Sequence, residues 1–325
     1  MAISRCNHCG YLREVDEGLV NEETQCPQCG TPCRVYQTVF FVDLLIKKHK
    51  EALNTIKHLQ SIISPADSNK VENNDELDIF NTTWFSSKEQ HKDIFTFFKR
   101  KNIEVQISPE SVDTRGFYDE IALEIGNHYN LYREVINQIC WAYRKNRPSC
   151  LIHLKENKDA DKILEFSKKL YDASLISKKF YDKEKVTLKI VVQSAQAIRN
   201  FFNGLWLEWY ALMLLLMNFR KQGKQFSCTR NLFITLPSGD KYELDIFALI
   251  DNIPVLIECK TGEFRHYIEK CQHIKKALHI YPANFILCIV GLDTEKLDGF
   301  SAMHHLTFSN EITLLESLKK VFGRL

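Results

Sequence analysis

The stretch YELDIFALIDNIPVLIECK, residues 242–260, decides how the chain is read. Tyr242–Ile250 is rich in aromatic and branched apolar residues, and Asp251-Asn252 is a turn signal, so the segment predicts a strand closed by a tight turn. Pro254–Lys260 predicts the next strand. Val255–Ile257 is continuously apolar, as a central strand covered on both faces would be. Glu258 and Lys260 follow at its end. They lie two residues apart, so both project from one face of the strand, with Cys259 on the other. Glu243 and Asp245 share a face of the preceding strand by the same alternation.

Working outward, Cys228–Leu236 predicts a strand that turns back through Pro237-Ser-Gly-Asp240, a hairpin signal. Ahead of it, Phe201–Arg220 (FFNGLWLEWYALMLLLMNFR) predicts a strongly apolar helix with a single acid, Glu208. A lone carboxylate in so apolar a helix needs a partner or a function, because burying it uncompensated is costly. After Lys260 come a helix over Phe264–His279 and a buried strand over Asn284–Val290. An ordinary surface ion pair accounts for any one of these charged residues. It accounts poorly for the combination.

Helix, three-stranded meander, helix, strand is an order that resembles the PD-(D/E)XK nuclease fold. Asp245, twelve intervening residues and Glu258-Cys259-Lys260 are similar to the D…(D/E)xK signature of that superfamily. The resemblance implies that Asp245 and Glu258 bind Mg²⁺ or Mn²⁺ with help from the Cys259 carbonyl. It implies that Lys260 orients the attacking water and steadies charge on the scissile phosphate, and that Glu208 supports the metal. The chemistry asks for the same residue types. Hard divalent cations take carboxylate and carbonyl oxygens, and a lysine beside two carboxylates keeps its proton. Gly-Leu-Trp-Leu-Glu208, Glu-Leu-Asp245 and Leu-Ile-Glu258-Cys-Lys260-Thr-Gly262 more narrowly resemble the nuclease domain of the CARF-fused effectors of type III CRISPR systems, over roughly residues 200–290. The resemblance implies a role in defence. It does not extend to a cyclic-oligoadenylate sensor, because no Rossmann-like fingerprint is legible. Gln272 is similar in place to a glutamine of the RecB-like subset, although a solvated polar residue is the plainer reading.

The other end of the chain carries a separate signal. Cys6-Asn-His-Cys9-Gly10 and Cys26-Pro-Gln-Cys29-Gly30 are two CxxC pairs with sixteen residues between Cys9 and Cys26, a spacing that predicts a four-thiolate zinc site. Each glycine relieves the tight turn after its second cysteine, because glycine tolerates positive φ. Residues 1–38 thus resemble a zinc ribbon. So short a segment has no core to fold on, and the metal supplies the folding energy. Four thiolates leave no open position, so this zinc is structural. Cys33 is a possible substitute ligand. The other six cysteines are scattered through mostly apolar segments, as free thiols in a reducing compartment would be.

Between the two ends, 39–64 predicts a helical connector. Phe41, Leu45, Ala52, Ile56, Leu59 and Ile63 form its stripe, which suits either a second copy of the chain, as a homodimer, or the rest of this one. Residues 65–78 predict a polar linker, and 79–200 a middle α+β region. In the latter, helix Lys88–Lys101, strand Ile103–Ile107, helical residues 118–147, strand Ser149–Leu154, helix Lys158–Tyr171 and a hairpin over 174–192 follow in turn. The second half of that order is shared by winged-helix modules and by other small α+β units. Residues 201–325 predict the nuclease-like core.

The expected fold class is therefore α/β in the broad sense, an α+β multidomain chain. A net charge of +2 over 325 residues leaves nucleic-acid binding to a local patch. Trp141–Lys189 supplies one candidate, with 13 Lys/Arg against 7 Asp/Glu. No apolar run reaches membrane-spanning length, no signal peptide is evident, and the cytoplasm is the expected location. The functional expectation is an Mg²⁺- or Mn²⁺-dependent nuclease acting on DNA or RNA. Alternatives are a non-catalytic regulator or adaptor that binds nucleic acid through the ribbon and hairpin, and an effector triggered by a partner protein.

Overall fold

The computed structural model describes residues 2–6, 8–9, 11–38, 42, 91–107, 118–154, 158–220 and 226–323. The chain divides into two compact units, Met1–Asn74 and Asp75–Leu325. The helical stripe expected over 39–64, Val42 apart, and the linker over 65–78 lie outside the described residues.

The first unit is a four-stranded antiparallel sheet. It comprises β1 (Ala2–Arg5), β2 (Leu12–Val15), β3 (Glu23–Gln25) and β4 (Pro32–Gln37), in the order β2-β1-β4-β3. Its buried apolar side chains are few and small: Ala2, Val35, Cys6, Cys26 and Cys33. A sheet with so little to bury needs another source of cohesion, and the turns between its strands carry the four CxxC cysteines.

The second unit opens with α1 (Lys92–Lys99) and β5 (Glu104–Ile107), then α2 (Tyr118–Asn127), α3 (Tyr129–Arg144), β6 (Ser149–His153), α4 (Ala160–Asp172), β7 (Ile176–Asp182) and β8 (Thr187–Val192). A helical turn at Gln196–Asn200 and a wider turn at Phe201–Leu205 lead into α5 (Trp206–Arg220). The meander β9 (Phe226–Thr235), β10 (Lys241–Ile250) and β11 (Ile253–Lys260) follows, then α6 (Ile268–Leu278), β12 (Phe285–Ile289), α7 (Leu297–His304), β13 (Thr307–Ser309) and α8 (Leu314–Phe322). The fold is α+β, as expected.

One six-stranded sheet, β13-β12-β11-β10-β9-β5, organises this unit. β9, β10 and β11 are antiparallel neighbours, whereas β12 and β13 run parallel to β11 and are reached through α6 and α7. Parallel neighbours require such crossovers. Both faces are covered. Ile246, Ala248, Val255, Ile257 and Cys288 pack into one core with α2–α5 and α8. Phe247, Leu249, Leu256, Phe285 and Leu287 pack into the other with α1, α6 and the start of α7.

The middle segment is continuous with this architecture. β5 extends the large sheet by pairing with β9, from Glu104↔Thr235 to Ile107↔Leu232. The small sheet β6-β8-β7 sends Cys150, Ile152, Leu188 and Ile190 into the same core that holds α5. The helical run expected over 118–147 breaks at His128, whose φ/ψ of −130°/31° ends one helix and starts the next. Gly126 just before it is needed for close packing: a Cβ there would lie 2.3 Å from the Tyr210 ring of α5. The single helix expected over 201–220 is also interrupted. Gly204 has φ 152° and ψ −24°, a conformation open to glycine and strained for other residues.

Candidate active site and cysteine centre

The site is built where two strands part. β10 and β11 pair from Ile250↔Ile253 to Ile246↔Ile257, and the ladder stops there. Beyond it, side chains bridge the opening. Asp245 Oδ2 accepts from the Cys259 amide at 2.7 Å, and Glu258 Oε1 accepts from the Asp245 amide at 3.4 Å. Each carboxylate thus occupies a place where a backbone partner would have been.

A change of face accompanies the split. In β9, Phe226 and Cys228 point to the α5 core, whereas Leu232 and Ile234 point to the opposite one. In β10, Ile246 faces the α5 core and Leu244 the other. Strict alternation forbids either change. The two flips lie opposite one another, at Asn231 and Asp245, between the pairs Leu244↔Leu232 and Ile246↔Arg230. Asn231 has φ 53°, the left-handed conformation that asparagine tolerates. The local distortion aims Asp245 into the gap between β10 and β11.

Lys260 closes the arrangement. Its ammonium lies 3.2 Å from Asp245 Oδ2 and 3.4 Å from Glu258 Oε2, and it donates to the Cys259 carbonyl at 3.0 Å. The Tyr267 ring lies 4.9 Å from it on another side, a cation–π contact. Glu258 is 2% exposed. Burial and then the Asp245 charge push its carboxyl up to about 8, with Lys260 opposing. Burial works to lower the Lys260 pKa, but Asp245 and Glu258 outweigh it and hold the amine above the ordinary lysine value. Lys260 therefore stays charged.

Three oxygens, two carboxylate and one carbonyl, converge on one cation. This is the kind of donor set that a hard divalent ion takes. Asp245, Glu258, Lys260 and the Cys259 carbonyl therefore lie together, and their chemistry fits Mg²⁺ or Mn²⁺.

Glu208 stands apart from that nest. It sits in the first turn of α5, where the helix dipole favours negative charge, and it binds Arg230 at 2.9 Å. Burial and then the Asp245 charge raise its carboxyl to about 7, against the pull of Arg230. The Arg230 guanidinium also lies 4.2 Å from the Trp209 ring. Sequence reasoning missed Arg230. Its signal was a lone arginine in an otherwise unchargeable strand, the complement of a lone glutamate in an apolar helix. Glu243 is exposed two residues before Asp245 and adds to the negative field at Glu208. Gln272 is half-buried and donates to the His304 carbonyl at 3.0 Å, tying α6 to the end of α7.

In the first unit, the ligand sulfurs of Cys6, Cys9, Cys26 and Cys29 all lie within 4.8 Å of one another. Cys6 and Cys29 approach to 3.4 Å, Cys9 and Cys26 to 3.6 Å. Sulfurs placed about 2.3 Å from a tetrahedral zinc ion have separations of this order, so the four can hold a metal such as zinc. The second knuckle is closed by Gly30, whose amide donates to the Cys26 carbonyl and whose φ is 71°. Gly10 lies outside the described residues. Cys33 is buried on β4 and donates to the Thr31 carbonyl at 3.3 Å, outside the group of four.

No protein-family model matches the chain, and no curated protein matches it. Among solved structures, it is similar to protein VC1899 from Vibrio cholerae, with 15% identity and a TM-score of 0.46, over 70% of this chain and 60% of that one. It is also similar to Can2 from Sulfobacillus thermosulfidooxidans, solved in complex with cyclic tetra-adenylate. There the identity is 16% and the TM-score 0.47, over 69% of this chain and 59% of that one. The chain thus spans about three fifths of the length of either protein. No helix among the described residues is long and apolar enough to cross a membrane.

Proposed function

We propose that this chain is an Mg²⁺- or Mn²⁺-dependent nuclease that hydrolyses phosphodiester bonds in DNA, with RNA as the alternative substrate, and that it serves in defence against foreign nucleic acid. The observation that carries the catalytic reading is the nest of Asp245, Glu258 and the Cys259 carbonyl around the Lys260 ammonium. The defence role rests on the motif resemblance alone. In this reading Asp245 and Glu258 hold the ion, and the carbonyl of Cys259 supplies a third oxygen. A divalent ion bound there acidifies its water and offsets charge on the phosphate. Lys260, drawn out of the nest, orients the attacking water and steadies the scissile phosphate. Asp245 Oδ2 is fixed by the Cys259 amide and already faces the nest. Glu208, held by Arg230, would support the metal from beside Asp245.

The test is incubation of purified protein with single- and double-stranded DNA and RNA in Mn²⁺, Mg²⁺ or EDTA. Cleavage by the wild type in metal, and its loss in EDTA and in Asp245→Ala and Lys260→Ala, is the expected result. Equal cleavage by the variants contradicts the reading.

A further inference from the structure

The second unit carries another surface that the metal chemistry does not use. In the sheet β6-β8-β7, Cys150, Ile152, Leu188 and Ile190 point inward to the core. Among the described residues, the opposite face keeps large side chains exposed. Leu151, Lys189 and Phe180 stand on it in one row, because Leu151 pairs with Lys189 and Lys189 with Phe180. Leu151 is 46% exposed and Phe180 is 55% exposed. His153, Thr187 and Asp182 form the adjacent row, and Lys178 adjoins Phe180 on the other side. All of these but Lys178 line a cleft of about 590 Å³.

Two features identify an occupant. The first is charge. Lys178, Lys183, Lys185 and Lys189 are exposed on the hairpin. Asp182 is the one acid among the residues lining the cleft, and Lys185 engages it at 3.8 Å. The exposed face of α4, by contrast, alternates Asp161, Lys162, Glu165, Lys168 and Asp172 and offers no basic surface. Beside this face the positive charge therefore lies on the sheet and not on α4. The second feature is the exposed ring. An aromatic side chain on an open sheet among lysines accepts an unstacked base, with ammonium groups at backbone distance. A duplex keeps its base faces stacked and has none to offer.

We propose that the outer face of β6-β8-β7 binds single-stranded nucleic acid, with a base stacked on Phe180 and phosphates at Lys178 and Lys189. The surface is separate from the carboxylate nest, so its test is made without metal. Labelled oligodeoxythymidylate and oligouridylate are titrated with the full chain in EDTA, and binding is followed by fluorescence anisotropy. The wild type should bind at least one of them. Phe180→Ala and Lys189→Glu should each weaken that binding about tenfold, and the Lys189 variant should flatten its salt dependence. Phe180→Trp should retain affinity, and the oligonucleotide should quench its emission more than that of the wild type, a direct sign of stacking.

Any of three results overturns the inference. One is the absence of binding to both oligonucleotides. Another is unchanged binding by both weakening variants, which would leave this face to a protein partner. The third is equally tight binding of a duplex of matching sequence. Cleavage assays are not involved, so a failed nuclease reading and a failed binding surface are told apart.

Discussion

At the scale of single residues, Glu258 is a buried carboxyl held far from its ordinary ionisation range. It is 2% exposed, and its carboxyl titrates at about 8 against an ordinary 4.5, first because it is buried and then because Asp245 is close. Between those two values the folded chain holds a proton that the unfolded chain has released. By linkage, stability then falls as the pH rises through that window. Glu208, raised to about 7, acts in the same direction. In EDTA the thermal midpoint should therefore decline from about pH 4.5 to about pH 8. Glu258→Gln should flatten that decline and raise the midpoint by about 2–4 °C near its upper end. The same variant should lose the increase that Mn²⁺ gives the wild type. A calorimetric pH series with and without Mn²⁺ checks both signs. A variant less stable than the wild type in EDTA and still stabilised by Mn²⁺ would contradict the role given to Glu258.

At the scale of elements, the approach to α5 is sensitive to a small change. Gly204 has φ 152°, and a Cβ there would lie 3.0 Å from Thr261 Oγ1. The Thr261 hydroxyl itself donates to the Asn203 carbonyl at 3.2 Å, so this turn joins the start of α5 to the residue after Lys260. Gly204→Ala should cost about 1–3 kcal/mol of stability in urea unfolding. It should also lower activity, because it disturbs the elements that carry Glu208 and Lys260. Thr261→Ala leaves the backbone free and should cost less. These elements also mark what the sequence disclosed. The meander, the buried strand ending in Glu258 and Lys260, and the apolar helix with its one acid are written in local periodicity and composition. The crossing contacts are not. Arg230 looks like any strand residue until Glu208 is seen beside it, and the flip at Asn231 and Asp245 has no signature in alternation. β5 likewise reads as part of a middle region, because its partner β9 lies more than a hundred residues away.

At the scale of the whole molecule, the two units rest on different physics. Asp75–Leu325 buries large side chains on both faces of its sheet, among them Trp206, Trp209, Phe247 and Phe285. The described part of Met1–Asn74 buries small ones around four cysteines. Metal removal should thus separate them. Cys26→Ser, or a strong chelator, should reduce zinc from about one ion per chain to none and unfold the ribbon. The main unfolding transition of the larger unit should keep its midpoint. Metal analysis and calorimetry on one preparation check this, and loss of that transition together with the zinc would contradict the division.

In the proposed function the Lys260 ammonium occupies the place that a divalent ion would take. The most direct measurement is anomalous diffraction at the manganese edge from crystals of the full chain soaked in Mn²⁺. The expected result is a peak beside Asp245, Glu258 and the Cys259 carbonyl, with Lys260 displaced and no peak in Asp245→Ala. Full occupancy of the nest by Lys260 at saturating Mn²⁺, without anomalous density between the two carboxylates, would contradict it.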